Sequence, residues 1–402
     1  MQHVPTRNVA TEPGITQLVR QISMELVIVV VSFLLLTGYA SLIIYYRQSW
    51  IGIASFQPDK TFQPNTKISI IIPARNEEEN IGSCLNSIMA QSYPAHLFEV
   101  WVVDDHSTDQ TASIISTYSN RNVHLLSLKD FLEAGAINSY KKKAIDTAIQ
   151  HSTGELIVTT DADCLVQPGW LQTIAEYYEK TGAAFIAMPV SYTYKMNFLE
   201  IFQSLDFMTL QGITGASVSK KIHSMCNGAN LAYEKKAFIE VGGFKGIDNI
   251  ASGDDMLLMH KIFERFPTRV VFLKSPEVIV ETRPMETLSR FFNQRIRWAS
   301  KADKYDDKRI FAVLLLVYFF NVWILLLAIL AIFFPLLNVL IAILAGKTFI
   351  ELLFLYPVAR FFQQQKILWW FPLAQPFHIL YTTIAGWLGK FGTYHWKERK
   401  VN

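Results

Sequence analysis

Residues 26–46 form a charge-free, mostly apolar run of about 21 residues. As a helix rising about 1.5 Å per residue it spans roughly 30 Å, the thickness of a bilayer's hydrocarbon core. Tyr39, Tyr45, Tyr46 and Trp50 collect toward its C-terminal end and Arg47 follows, the pattern of a membrane–water interface. A secretory signal would have a shorter apolar core and a small-x-small cleavage site, so the run is read as a retained anchor. A second apolar block, residues 310–345, is too long for one crossing. Pro335 divides it into residues 310–334 and roughly 336–358. The second half carries Lys347 and Glu351 at i, i+4, which can lean on each other within the membrane, line a polar path, or sit at an interface if the helix starts later. A last segment, residues 367–389, holds Pro372, Gln375, Pro376 and His378. Apolar ends around a polar middle restrict the chain to a membrane-integral fold.

The middle, residues 67–283, has the alternation of an α/β domain. Lys67-Ile68-Ser69-Ile70-Ile71-Ile72-Pro73 is a buried-strand pattern closed by a proline. Glu77, Glu78 and Glu79 then suit the first turn of a helix. Phe98 to Val103 is a second strand running into Asp104-Asp105-His106-Ser107, where Ser107 or Thr108 can cap a helix. Lys141-Lys142-Lys143-Ala144 opens another helix, and a third strand runs into Asp161. A mostly parallel sheet with a crevice at its strand ends follows from this order.

Asp161 and Asp163 are spaced i, i+2 where that strand gives way to a loop. On an extended segment both carboxylates point to one side, and paired oxygen ligands suit Mg²⁺ or Mn²⁺. Two other features stand out. Asp254-Asp255 opens the apolar run Met256-Leu257-Leu258-Met259, placing two acids at a helix N-terminus. A helix from Met285 to about Lys301 mixes Leu288, Phe291, Phe292, Ile296 and Trp298 with basic residues, as an interfacial helix does. Residues 196–210 are a similar stretch. The net charge of +3 makes no case for nucleic acid, and Cys84, Cys164 and Cys226 lack paired spacing, as expected in a reducing compartment.

Six motifs in order resemble those of the membrane-bound family 2 glycosyltransferases, whose α/β nucleotide-sugar fold is called GT-A. They are Ile72-Pro73-Ala74-Arg75-Asn76-Glu77, Val103-Asp104-Asp105-His106-Ser107-Thr108-Asp109, Lys143-Ala144, Asp161-Ala162-Asp163, Gly253-Asp254-Asp255 and Gln294-Arg295-Ile296-Arg297-Trp298. The resemblance implies a nucleotide diphosphate sugar donor, most often UDP-linked. Asp104, supported by Asp105, is then expected to hold uracil and ribose, with Ala74 and Glu77 lining the same slot. His106 stands where the family often has glycine, so the backbone there is expected to differ. Asp163 is expected to ligate metal, with Asp161 touching ribose or a metal-bound water. Lys143 adds a cation near the diphosphate, and Lys141 and Lys142 are read as solvated. Asp255, beside Asp254, is the expected general base of an inverting displacement. Gln294, Arg297 and Trp298 are expected at the donor and acceptor, Arg297 on the diphosphate and Trp298 as a platform. Gly228-Ala229-Asn230 and Gly242-Gly243-Phe244 are expected to make close turns near the acceptor side.

The organisation expected is a tail (1–24), a transmembrane helix (25–47), the GT-A domain (67–283), an interfacial helix (284–308), a C-terminal membrane region of two to three crossings (309–389) and a basic tail (390–402). The protein is expected in a bacterial inner or cell membrane, its catalytic domain in the cytoplasm. Three C-terminal crossings then put the tail outside, against Lys390, Lys397, Arg399 and Lys400, unless the last segment is re-entrant or interfacial. The acceptor is either a lipid alcohol, glycosylated once, or a growing glycan made by a processive synthase. Trp298 is followed by Ala299-Ser300-Lys301 without the glycine synthases often carry nearby, which favours the lipid. A catalytically dead membrane scaffold is the remaining reading, disfavoured by the intact acidic set.

Overall fold

A computed structural model describes residues 13–132, 139–222, 225–250, 253–300, 308–391, 394–396 and 399–401. In chain order, α1 is Pro13–Ile51, β1 Ile68–Ala74, α2 Ile81–Met89, β2 Phe98–Asp104, α3 Thr111–Ser116, β3 Val123–Ser127, α4 Tyr140–His151 and β4 Leu156–Thr159. Then come α5 Trp170–Thr181, β5 Phe185–Ala187, β6 Val190–Tyr192, α6 Phe198–Lys220, β7 Leu231–Glu234, α7 Lys235–Glu240, α8 Met256–Arg265, β8 Val270–Phe272 and β9 Val280–Thr282. The chain continues with α9 Leu288–Ala299, α10 Lys308–Phe333, α11 Leu337–Phe361 and α12 Phe371–Phe391.

Seven strands form one sheet in the order β3-β2-β1-β4-β7-β5-β8. It is parallel except at β7, which runs antiparallel to β4 and β5. β6 and β9 form a separate parallel pair. The continuous apolar run of β1 reflects burial on both faces. Ile68, Ile70 and Ile72 point into one core with α2 and α5, while Ile71 points into the other. That second core continues through α6 into α1, α10 and α11.

Among the described residues, three helices are long and apolar enough to cross a membrane: residues 20–51 of α1, α10 and α11. Helix α6 lies between them and the sheet. It is longer than the stretch expected at residues 196–210 and is buried over most of its length rather than lying on the membrane by one face. Two glycines let it approach closely. A Cβ at Gly212 would meet Val358 at 2.6 Å, and one at Gly215 would meet Trp50 at 2.7 Å. The anchor is fastened at its end by Lys274, whose Nζ donates to the Trp50 and Ile53 carbonyls at 3.0 and 3.3 Å.

The expected Lys347–Glu351 pair forms, at 2.6 Å, deep in the bundle. Lys347 also donates to Gln375 Oε1 at 3.0 Å, while Tyr39 and Gln375 donate to Glu351. α1, α11 and α12 thus meet at one charge-neutral polar knot. Lys347→Met should leave Glu351 uncompensated and cost about 3–5 kcal/mol. Lys347→Met with Glu351→Met should recover most of that loss. Thermal unfolding of the two variants in one detergent checks both statements.

Local details differ from expectation for physical reasons. α2 begins at Ile81, and the three glutamates lie in the turn before it, where Glu78 accepts from the Gln110 N–H at 2.9 Å. α3 begins at Thr111, and Asp109, rather than Ser107 or Thr108, accepts its first N–H at 3.0 Å.

Candidate active site

β1, β2 and β4 all end at one edge of the sheet, and antiparallel β7 enters from that same edge. The loops gathered there carry the acidic motifs. Register places Ala74 beside Asp104. The two following loops are laced together. Asp105 N–H donates to the Ala74 carbonyl (2.8 Å), Asn76 Oδ1 accepts from Thr108 N–H (2.9 Å), and Glu77 N–H donates to Thr111 Oγ1 (2.8 Å). Arg75 Nη1 donates to the Asp105 carbonyl at 2.8 Å, and Asp104 Oδ1 accepts from Ser107 N–H at 3.3 Å. The two loops are therefore fixed to each other by backbone and side-chain hydrogen bonds.

His106 adopts φ +58°, the left-handed region that glycine enters most readily. The loop expected to differ thus takes a conformation glycine favours. Its Nδ1 lies 2.9 Å from Oδ1 of buried Asp105, a contact that helps hold the ring there.

Asp161 and Asp163 sit just past β4. They are not on an extended segment: β4 stops at Thr159, and Cys164 N–H donates to the Asp161 carbonyl at 3.2 Å, closing a turn. Thr282 Oγ1, at the end of β9, donates to Asp163 Oδ2 at 3.2 Å. Burial, with the negative charges of Asp161 and Glu77, pushes the Asp163 carboxyl up to about 6.

Lys141, at the start of α4, lies 2.8 Å from Asp161 Oδ1 and 3.3 Å from Asp254 Oδ2. Burial would lower its pKa, but the two carboxylates hold it above the ordinary lysine value. This corrects the reading of Lys141 as solvated. Lys142 is not solvated either: it is buried, and Nζ donates to the Ile247 and Ile250 carbonyls at 2.8 and 2.5 Å. Lys143 follows Lys141 by two positions, so it faces nearly the opposite side of α4. There it lies near Asp146, whose carboxyl burial pushes up and the Lys143 charge only partly brings back.

Asp255 caps α8, its Oδ1 accepting from Met256 N–H at 2.7 Å and its Oδ2 from Gly228 N–H at 3.2 Å. Both oxygens keep further acceptor capacity. Gly228 is where the turn before β7 touches the cluster. A Cβ there would stand 3.2 Å from Asp254 Oδ2 and 3.4 Å from Lys141 Nζ. Gly228→Ala should spread this ion pair and lower turnover about 10–100-fold with little change in unfolding temperature. Steady-state kinetics beside a melting curve would show it. Gly242 and Gly243 turn with φ +71° and +52°, but the second packs on Phe238.

On α9, Gln294 Oε1 accepts from Arg295 Nη1 at 2.9 Å. Arg295 is 4 % exposed and pairs with Asp206 of α6 at 2.7 Å. It stacks on Trp298, guanidinium to ring centre 4.3 Å, and Trp298 also faces Phe207. The buried cation of this motif is therefore Arg295, a residue the motif reading passed over. Its spacing from Phe291 and Trp298 (i−4 and i+3) puts it on their face of the helix, which was the available signal. Arg297 is half-buried, with no side-chain hydrogen bond or ion pair among the described residues. Lys301 and the residues to 307 lie outside those described.

Among the described residues no group of three or more His, Cys, Asp or Glu can hold a metal ion. Asp161 and Asp163 nevertheless fit a cation bound jointly with substrate, because Mg²⁺ and Mn²⁺ sites commonly use one or two carboxylates plus phosphate oxygens and water. The crowded negative charge that raises Asp163 is what a dication would relieve. Cys84 and Cys164 are buried, and no disulfide forms among the described residues.

The profile of Glycosyl transferase family 2 matches residues 69–242, and that of Glycosyl transferase family group 2 matches residues 156–387. Glycosyltransferase AglE of Haloferax volcanii is 30 % identical over 189 residues, 47 % of this chain and 59 % of AglE. Beta-monoglucosyldiacylglycerol synthase of Synechocystis is 28 % identical over 120 residues, 30 % of this chain and 24 % of the synthase. Hyaluronan synthase of Streptococcus pyogenes is 28 % identical over 143 residues, 35 % of this chain and 33 % of the synthase. The chain thus matches under two thirds of the length of each relative. The mannosyltransferase PcManGT of Pyrobaculum calidifontis, solved with GDP-Man and Mn2+, shares the fold at TM-score 0.56 and 20 % identity, over 90 % of this chain and 98 % of its own.

Proposed function

The chain belongs to glycosyl transferase family group 2, and on that premise we propose that it is a membrane-integral, inverting glycosyltransferase moving a sugar from a UDP-linked donor to a lipid acceptor. The convergence of Asp161, Asp254 and Asp255 around Lys141 and Gly228 at the sheet's binding edge carries this reading.

Ala74, Glu77, Asp104 and Asp105 frame the nucleoside slot, with Asp104 accepting from base or ribose. Asp161 and Asp163 would hold Mg²⁺ or Mn²⁺, which would supply Lewis-acid stabilisation of the charge on departing UDP. Lys141 ties Asp161 to Asp254 through its two ion pairs. Asp255 takes the proton of the acceptor hydroxyl as it attacks the anomeric carbon from the face opposite UDP. Arg297, with no side-chain partner among the described residues, is the cation left for phosphate, whereas Lys143 is turned toward Asp146. Gln294 and Trp298 shape the acceptor side, Trp298 braced by Arg295.

The lipid acceptor is supported by the likeness to a glucosyldiacylglycerol synthase and by the filled bundle. Tyr39, Lys347, Glu351 and Gln375 occupy its interior, where a translocated glycan would need a path. Likeness to hyaluronan synthase favours a second reading, processive synthesis of a β-linked glycan. Arg360 and Lys366 at the end of α11 favour that end inside, placing the catalytic domain in the cytoplasm. Calorimetric titration with UDP tests the donor half. Binding should be much tighter with Mg²⁺ or Mn²⁺ than without; equal binding in chelator, or none with either metal, would count against it.

A further inference from the structure

We propose that α12 lies within the lipid on the catalytic side without crossing the membrane, its partner being the bilayer itself. Its faces are reversed relative to a helix on a soluble protein. Leu373, Leu380 and Trp387, at i, i+7 and i+14, point outward and are 67 %, 45 % and 59 % exposed. The inward face instead carries polar groups. Gln375 joins Lys347 and Glu351, Tyr381 donates to Asp206, and His378 Nε2 lies 3.7 Å from Asp206. Apart from His378, the helix has one basic residue and no acid, and Lys390 falls in its last turn. An outward apolar stripe without charge is stable against hydrocarbon and costly against water.

The helix nonetheless stays with elements of the catalytic side. Phe377 packs on Phe202 of α6 at 4.6 Å and on Phe291 and Phe292 of α9 at 6.2 and 6.4 Å. Further along, Gly389 backs onto Ala299 at the end of α9, where a Cβ would stand 2.6 Å from its neighbour. α12 therefore tracks α9 in the same direction from Phe377 to Gly389. Residues 283–287 alone separate α9 from β9, whose Thr282 bonds Asp163, so α9 cannot lie across the membrane from the site. Trp369, 88 % exposed, and Trp370 precede α12 with Lys366, a set suited to the headgroup level. α12 is also absent from the helices long and apolar enough to cross. Three crossings, by α1, α10 and α11, then return the chain to the catalytic side, where Lys390 and the basic residues after it satisfy the positive-inside rule.

The test uses the full chain in lipid vesicles, with Cys226→Ser to remove the half-buried thiol. Nitroxide labels at Leu373→Cys, Leu380→Cys and Trp387→Cys report depth through their relaxation by oxygen and by a water-soluble nickel chelate. Three oxygen-accessible labels, all within about 10 Å of one depth, roughly a helix diameter, are expected. An impermeant maleimide should also reach Lys390→Cys and Lys236→Cys, on α7, from the same face. Labels that pass through the bilayer centre, or cysteines reached from opposite faces, would overturn the proposal by showing a crossing. Nickel-accessible, oxygen-poor labels would overturn it by showing water on that face.

Discussion

Asp255→Asn should lower sugar transfer by about 10²–10⁴-fold, the usual contribution of a general base, while UDP still binds with metal. The separation is expected because Asp255 touches α8 and the Gly228 turn rather than the nucleotide loops. Asparagine is itself a good helix cap, so the Met256 N–H keeps its acceptor and the fold should survive. The loss at Gly228 N–H is one 3.2 Å bond, for which a small fall in unfolding temperature is expected. An amide cannot accept the acceptor hydroxyl's proton, whatever its geometry. Turnover kinetics beside UDP titration distinguishes the outcomes: full turnover would show that Asp255 is a cap and nothing more. Loss of UDP binding would place it in the donor pocket instead.

Asp163→Asn should strike the other half of the reaction. Asparagine keeps the shape of the turn and can still accept from Thr282 Oγ1. It removes one of the two carboxylates available to a cation, and metal-supported UDP affinity should fall by about 100-fold or more. Weak binding without metal should hardly change, because that part rests on the Asp104 loop. Titrating Mn²⁺ at fixed UDP measures the shift directly. Unchanged metal dependence would move the cation site away from this turn.

The membrane helices were legible because length and charge decide them: the expected spans at residues 26–46, 310–334 and 336–358 reappear in α1, α10 and α11. The last segment was only partly legible. Its composition permits crossing, and its placement depends on α6 and α9, which are distant in sequence. β1, β2 and β4 announce themselves as apolar runs. β3, Val123–Ser127, does not, with a histidine inside five residues, and β5, β6, β8 and β9 are three residues each.

At the site, the motif order located the acidic loops, and the structure brings Asp161, Asp254 and Asp255 together around Lys141 and Gly228. Which lysine serves them was not legible, because three adjacent lysines differ only in the direction each takes from the helix. The turn at Asp161–Asp163 was missed because an apolar run shows where a strand lies better than where it stops. Arg295 was overshadowed by Arg297, since a motif names positions while burial depends on Asp206 of another helix.

The most direct measurement supplies purified protein in lipid, with Mg²⁺ or Mn²⁺, with a panel of radiolabelled UDP-sugars and separates the label by solvent extraction and size. One discrete labelled species in the organic phase is the expected result. A long water-soluble polymer would contradict the lipid acceptor, and no UDP release with any sugar would contradict catalysis altogether.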